Sequence, residues 1–121
     1  MSERQASTFR RGFGTSAELT ALRILSQEHV IFVYQDVVHC WGEFDGQGRP
    51  ISYKPDFIFN DAKYGSGILE IEGEGTNSDD PKRDHRLLST GFGWVEHVPN
   101  KDAKNVMNYL EKHKREVLEF A

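Results

Sequence analysis

The chain has 121 residues, 37% of them hydrophobic and 28% charged, and its eight Phe, four Tyr and two Trp give a single core the bulk that disordered chains lack. No apolar run nears the roughly 20 residues that cross a bilayer, the opening Met1-Ser2-Glu3-Arg4-Gln5 lacks the apolar stretch of a secretory signal, and the lone Cys40 excludes an intrachain disulfide or a paired-thiolate zinc site, so a cytoplasmic protein is expected. The formal net charge of -4 arises entirely within residues 54 to 84, where eight acids stand against four bases, and that concentration suits a divalent-cation site.

Residues 1 to 14 form a polar, basic arm with Arg4, Arg10 and Arg11 that ends in Gly12-Phe13-Gly14 and is expected to be mobile. Residues 15 to 121 read as one domain. Thr15-Ser16-Ala17-Glu18 has the form of a capping box and opens an amphipathic helix to about Glu28, with Ala21, Leu22 and Leu25 as its inward stripe. Residues 30 to 38 are dense in β-branched and aromatic side chains and continue into Trp41 and Phe44, a strand or two with a kink, closed by the turn residues 45 to 50.

Residues 51 to 59 read as the next strand, 60 to 67 as a loop, and 67 to 73 as a third strand, the three forming a meander. Asp80-Pro81 starts a short helix near residues 81 to 90 that Gly91 stops, and residues 94 to 98 form a short strand. From Lys101 onward, Ala103, Val106, Met107, Leu110, Val117 and Leu118 recur at helical spacing and predict a long amphipathic helix broken only by Lys114 on its apolar side. The order αβββαβα implies an α/β (α+β) fold, a mixed central sheet flanked by helices.

The chemistry concentrates in Tyr53-Lys54-Pro55-Asp56-Phe57 and, thirteen residues after Asp56, in Glu70-Ile71-Glu72. Alternation along a strand puts Glu70 and Glu72 on one face, and pairing with the preceding strand brings Asp56 beside them. Three converging carboxylates repel one another unless a cation such as Mg²⁺ or Mn²⁺ joins them, and a bound divalent ion acidifies water for attack at phosphorus. The plain alternative is a solvated strand face after a Pro-Asp strand start.

In this order these segments resemble the PD-(D/E)XK nuclease superfamily, in the branch similar to very-short-patch-repair endonucleases, over about residues 15 to 118. Asp56-Phe57 matches the first metal-ligand motif and Leu69-Glu70-Ile71-Glu72-Gly73 the second. Asp80, Arg83, Asp84, Leu87 and Gly91 fall at the spacing of the branch's helix motif, with aromatic-rich residues 92 to 98 directly after. The resemblance implies a restriction-endonuclease-like fold and a metal-dependent DNA endonuclease using Mg²⁺ or Mn²⁺. It implies Asp56 and Glu70 as metal ligands, with the Ile71 backbone carbonyl completing the shell.

Glu72 stands where many members carry Lys, as general base or further ligand. Glu18 matches the helix acid that orients water or a second metal, against its reading as a cap. The branch often has a His shortly after the strand motif, where this chain has Thr76 and Asn77; His85 is a substitute proton shuttle or an ordinary solvated residue. Arg83 is expected to touch the scissile phosphate or to pair with Asp79 or Asp80. Lys82, Arg86, Arg10 and Arg11 are candidates for phosphate contacts, against ordinary surface charge.

The implied partners are DNA and either a second copy or a specificity-providing protein, with no membrane. Two alternatives stand beside this reading. Arg10-Arg11-Gly12 before a helix acid, then Pro55-Asp56 and Glu70, is also similar to Holliday-junction resolvases, and the absent Lys and His make a degenerate nuclease fold kept for DNA or protein binding the other choice.

Overall fold

The computed structural model describes residues 16 to 72 and 81 to 115. Arg10, Arg11, the expected mobile arm, Thr15, Thr76, Asn77, Asp79, Asp80, Val117 and Leu118 lie outside the described residues.

Helix α1 (Ser16–Gln27) buries Glu18, Ala21 and Leu25 along one face. It ends in a Schellman-type cap, in which His29, at φ 59°, donates to Ser26 O at 3.1 Å and Val30 donates to Leu25 O at 3.0 Å. The aromatic run that follows yields two strands, β1 (Val33–Tyr34) and β2 (Val38–Phe44). The break is at Gln35, whose φ of 55° no extended strand accommodates.

Strand β2 pairs with β3 (Pro50–Tyr53) as a separate antiparallel hairpin with a register shift between Cys40 and Phe44. Asp45 closes its turn by accepting from the backbone N–H groups of Gln47 at 2.8 Å and Arg49 at 3.0 Å. The segment expected as one strand over residues 51 to 59 is therefore two, β3 and β4 (Phe57–Asp61). Pro55 stands at the interruption and has no N–H for a ladder, so the chain leaves one sheet and enters another there.

The main sheet has the order β1-β4-β5-β6, where β5 is Gly65–Glu72 and β6 is Trp94–Pro99. β4 is antiparallel to β1 and to β5, and β5 is parallel to β6, connected through α2 (Pro81–Ser89). This is a mixed α/β architecture, a central mixed sheet flanked by helices. Gly91, at φ 113°, stands just beyond α2, as the sequence pattern expects of a helix stop.

Odd-numbered residues of β4 and β5 (Phe57, Phe59, Leu69, Ile71) join Ala21 and Leu25 of α1 and Val98, Ala103, Val106 and Leu110 in one core. By alternation the even-numbered face carries Ile68, Glu70 and Glu72, and α2 meets this face through Arg83. Strand β5 is thus enclosed on both sides.

The long C-terminal helix is not formed among the described residues. A 3-10 segment (Asn100–Asn105), a short α3 (Val106–Leu110) and a 3-10 turn (Glu111–His113) lead to Lys114 in extended conformation. Tertiary bonds override the helical spacing. Arg115 N–H donates to Lys63 O at 2.7 Å, Tyr64 OH donates to Glu111 at 3.0 Å, and His113 stacks on Trp94 at 4.0 Å, so this end is drawn onto the β4–β5 turn and β6.

Candidate functional site

The strand registers assemble the site. Tyr34 lies opposite Phe57, Phe57 opposite Leu69, and Leu69 opposite Glu96; one step further, Glu70 lies opposite His97. One step past the ends of β1 and β4, the register brings Gln35 and Asp56 level with the rung of Glu70 and His97. The Gln35 N–H donates to Asp56 O at 2.9 Å, so the rung is bonded there. Opposed residues share a face, and Glu70 and His97 stand on the α2 side, bonded to Arg83 and Asp84.

The same proline that separates β3 from β4 shapes the centre of this rung. Ile71 would pair with Pro55, and its N–H instead donates to Asp56 Oδ2 at 2.8 Å. A strand residue's N–H and C=O point the same way, so the Ile71 carbonyl also faces the gap that Pro55 leaves.

Asp56 and Glu70 are the acids most altered by this setting. Burial pushes the Asp56 carboxyl up to about 8, the facing charge of Glu70 adds to the rise and Glu18 contributes less, while the Ile71 N–H and Arg83 pull it down. Glu70, 7% exposed, is also raised by burial, against the charge and hydrogen bond of Arg83. Glu18 is buried on α1 and accepts from Gln35 Nε2 at 3.0 Å and Tyr34 OH at 3.2 Å. The Tyr34 hydroxyl is held far above its usual range by burial and by Glu18. The positive φ of Gln35 thus serves both ends of the residue, its backbone on Asp56 and its side chain on Glu18.

Helix α2 supplies the counter-charges. Arg83 Nη2 bonds Glu70 Oε2 at 2.7 Å and its guanidinium lies over the Tyr53 ring at 5.1 Å. Asp84 Oδ2 meets His97 Nε2 at 2.7 Å, and the other ring nitrogen of His97 pairs with Glu72 Oε2, so an imidazole links two carboxylates from different elements. Asp84 Oδ1 is buried with no hydrogen-bond partner among the described residues. Arg86 ties α2 to the β2–β3 hairpin through Glu43 at 3.0 Å and Tyr53 OH at 2.7 Å.

Of the residues singled out in the sequence, Glu70 and, more weakly, Glu18 act on Asp56 through their charge, and Ile71 bonds Asp56 through its backbone N–H. The expected convergence of three strand acids is not formed. Glu72 shares the face of Glu70, but its carboxylate is drawn to His97, and no three His, Cys, Asp or Glu side chains among the described residues gather as a group able to hold a metal ion. Arg83 has Glu70 as its partner, a possibility the sequence pattern did not suggest. Arg86 is engaged with the hairpin, while exposed Lys82 and His85 line a groove with Glu43, Pro81 and Arg86.

His97, Tyr34 and Gln35 escaped the sequence reading. The signal for His97 was present in the strand of residues 94 to 98, but its pairing with Glu72 and Asp84 depends on the parallel register of β6. Comparison with protein-family models, with curated proteins and with solved structures finds no match.

Proposed function

We propose that the chain is a divalent-metal-dependent endonuclease that hydrolyses DNA phosphodiester bonds on a restriction-endonuclease-like framework. The observation that carries this reading is the pair Asp56 and Glu70, one half-buried and one buried, near enough that the charge of Glu70 raises the Asp56 carboxyl, with Ile71 bonded to Asp56 through its backbone.

The donors fit a hard cation. Mg²⁺ and Mn²⁺ prefer oxygen, and Mg²⁺ is commonly held by one or two carboxylates plus water and substrate phosphate, not by a closed protein cage. Asp56, Glu70 and the Ile71 carbonyl would hold the ion. When bound, it supplies an acidified water and neutralises charge on the phosphate. Asp56 is held by the Ile71 N–H through Oδ2, and Glu18, fixed by Tyr34 and Gln35, would orient a water beside it. Arg83 and Lys82, in the first turns of α2, are the basic groups nearest in sequence to this rung's α2 contacts and are assigned to the substrate's phosphates.

One observation favours a second reading, a degenerate fold that binds DNA or protein without cutting: Glu70 is already paired with Arg83 and Glu72 with His97. Incubation with supercoiled plasmid, mismatched duplex and four-way junctions in Mn²⁺ separates the readings. Metal-dependent cutting that Asp56→Ala abolishes is expected. Preference for the junction would point to a resolvase-like nuclease, DNA binding without cutting to the second reading, and equal cutting by both proteins would contradict the assignment.

A further inference from the structure

Of the two central carboxyls, Glu70 alone is bonded to a cation of the described residues, Arg83. Glu70 is 7% exposed, and its Oε2 is held by Arg83 Nη2 at 2.7 Å; Asp56, across the rung, leans on the neutral Ile71 N–H. With Glu70 paired to Arg83, ionising Asp56 as well leaves a second negative charge beside it without a cation of its own, which is costly. A dication balances the pair, and Arg83 is then surplus. The side chain also has a second anchor, since the guanidinium already lies over the Tyr53 ring on the hairpin side.

We propose that Arg83 is a displaceable internal cation: it occupies Glu70 until a divalent ion takes that carboxylate, and its release presents a guanidinium to an anionic phosphate of bound DNA. Metal binding and substrate capture are coupled through one side chain. A guanidinium fork suits both partners, carboxylate before and phosphate after, and this is why Arg at this place differs from Lys. The proposal rests on the reading of Asp56 and Glu70 as metal ligands.

Competition predicts the sign. An ion that must displace Arg83 binds more weakly in proportion to the fraction of molecules with Glu70 free. Calorimetric titration with Mn²⁺ at about pH 8.5 should therefore show Arg83→Gln binding about tenfold more tightly than the wild type. Equal or weaker binding by the variant, with clear binding by the wild type, overturns the role of Arg83 and leaves the metal site standing. No binding by either protein overturns both.

Should Arg83→Gln fail to fold, the wild-type protein labelled with ¹⁵N-arginine answers the same question during a Mg²⁺ titration. The guanidinium resonance of Arg83 is expected to shift with the midpoint of ion binding. A resonance that stays fixed while the ion binds would contradict displacement.

Discussion

Asp56 illustrates how one side chain carries several constraints. The carboxyl is raised to about 8, chiefly by burial and then by Glu70, so between its unfolded value near 4 and about 8 the folded protein holds a proton that the unfolded chain has lost. Stability from this group is complete below about pH 4 and declines as pH rises through about 8. Glu70, raised in the same direction, adds to the decline. Denaturant unfolding in metal-free buffer should thus show stability falling from pH 5 to pH 9, with a shallower fall in Asp56→Asn. An unchanged slope in that variant would remove Asp56 as the source. At this scale the sequence was legible where alternation sufficed, placing Glu70 and Glu72 on one face, and illegible where a partner came from far along the chain. Nothing near Glu72 indicates that His97 will claim it, and nothing near Arg83 indicates Glu70.

At the scale of elements, β5 is the member on which the others are placed, and Gly67 shows how closely. A β-carbon built at Gly67 would lie 1.9 Å from the Trp94 indole, which crosses the strand there, donates from Nε1 to Tyr64 O at 2.9 Å and stacks on His113. Gly67→Ala must displace that indole. A loss of about 3 kcal/mol is expected, at the upper end for overpacking, or a fall in Tm of about 10 °C, with altered tryptophan fluorescence; a variant as stable as the wild type would show that the indole moves freely. Element types were readable from period and punctuation in α1, β5, α2 and β6. The loop expected over residues 60 to 67 is mostly strand, since β4 reaches Asp61 and β5 begins at Gly65, and at two other places tertiary demands outweighed local pattern. Pro55 divides an apparently continuous strand between two sheets, and the contacts of Glu111, His113 and Arg115 end a helix whose apolar spacing continues in the sequence.

The whole molecule carries a net charge of -4, which opposes approach to a polyanion. On the proposed function the bound ion supplies the attraction that composition does not, and Arg83 adds to it once released. Binding of a short DNA duplex, followed by fluorescence anisotropy, should be at least about tenfold tighter in Ca²⁺, a non-catalytic substitute, than in EDTA, a coupling within the usual range. Equal binding in both would mean that DNA is held without the ion. The layered α/β plan was legible from the order of elements, whereas the detached β2–β3 hairpin and its bond to α2 through Arg86 were not, since both arise from where the chain changes sheets.

Whether Asp56 and Glu70 together grip a cation can be read by anomalous diffraction from crystals soaked in Mn²⁺. A strong peak is expected about 2.1 Å from a carboxylate oxygen of each residue, the distance of a hard octahedral ion, with the Ile71 carbonyl in the same shell and Arg83 withdrawn from Glu70. Density without a peak between these residues, and Arg83 still bonded to Glu70 at saturating Mn²⁺, would contradict it.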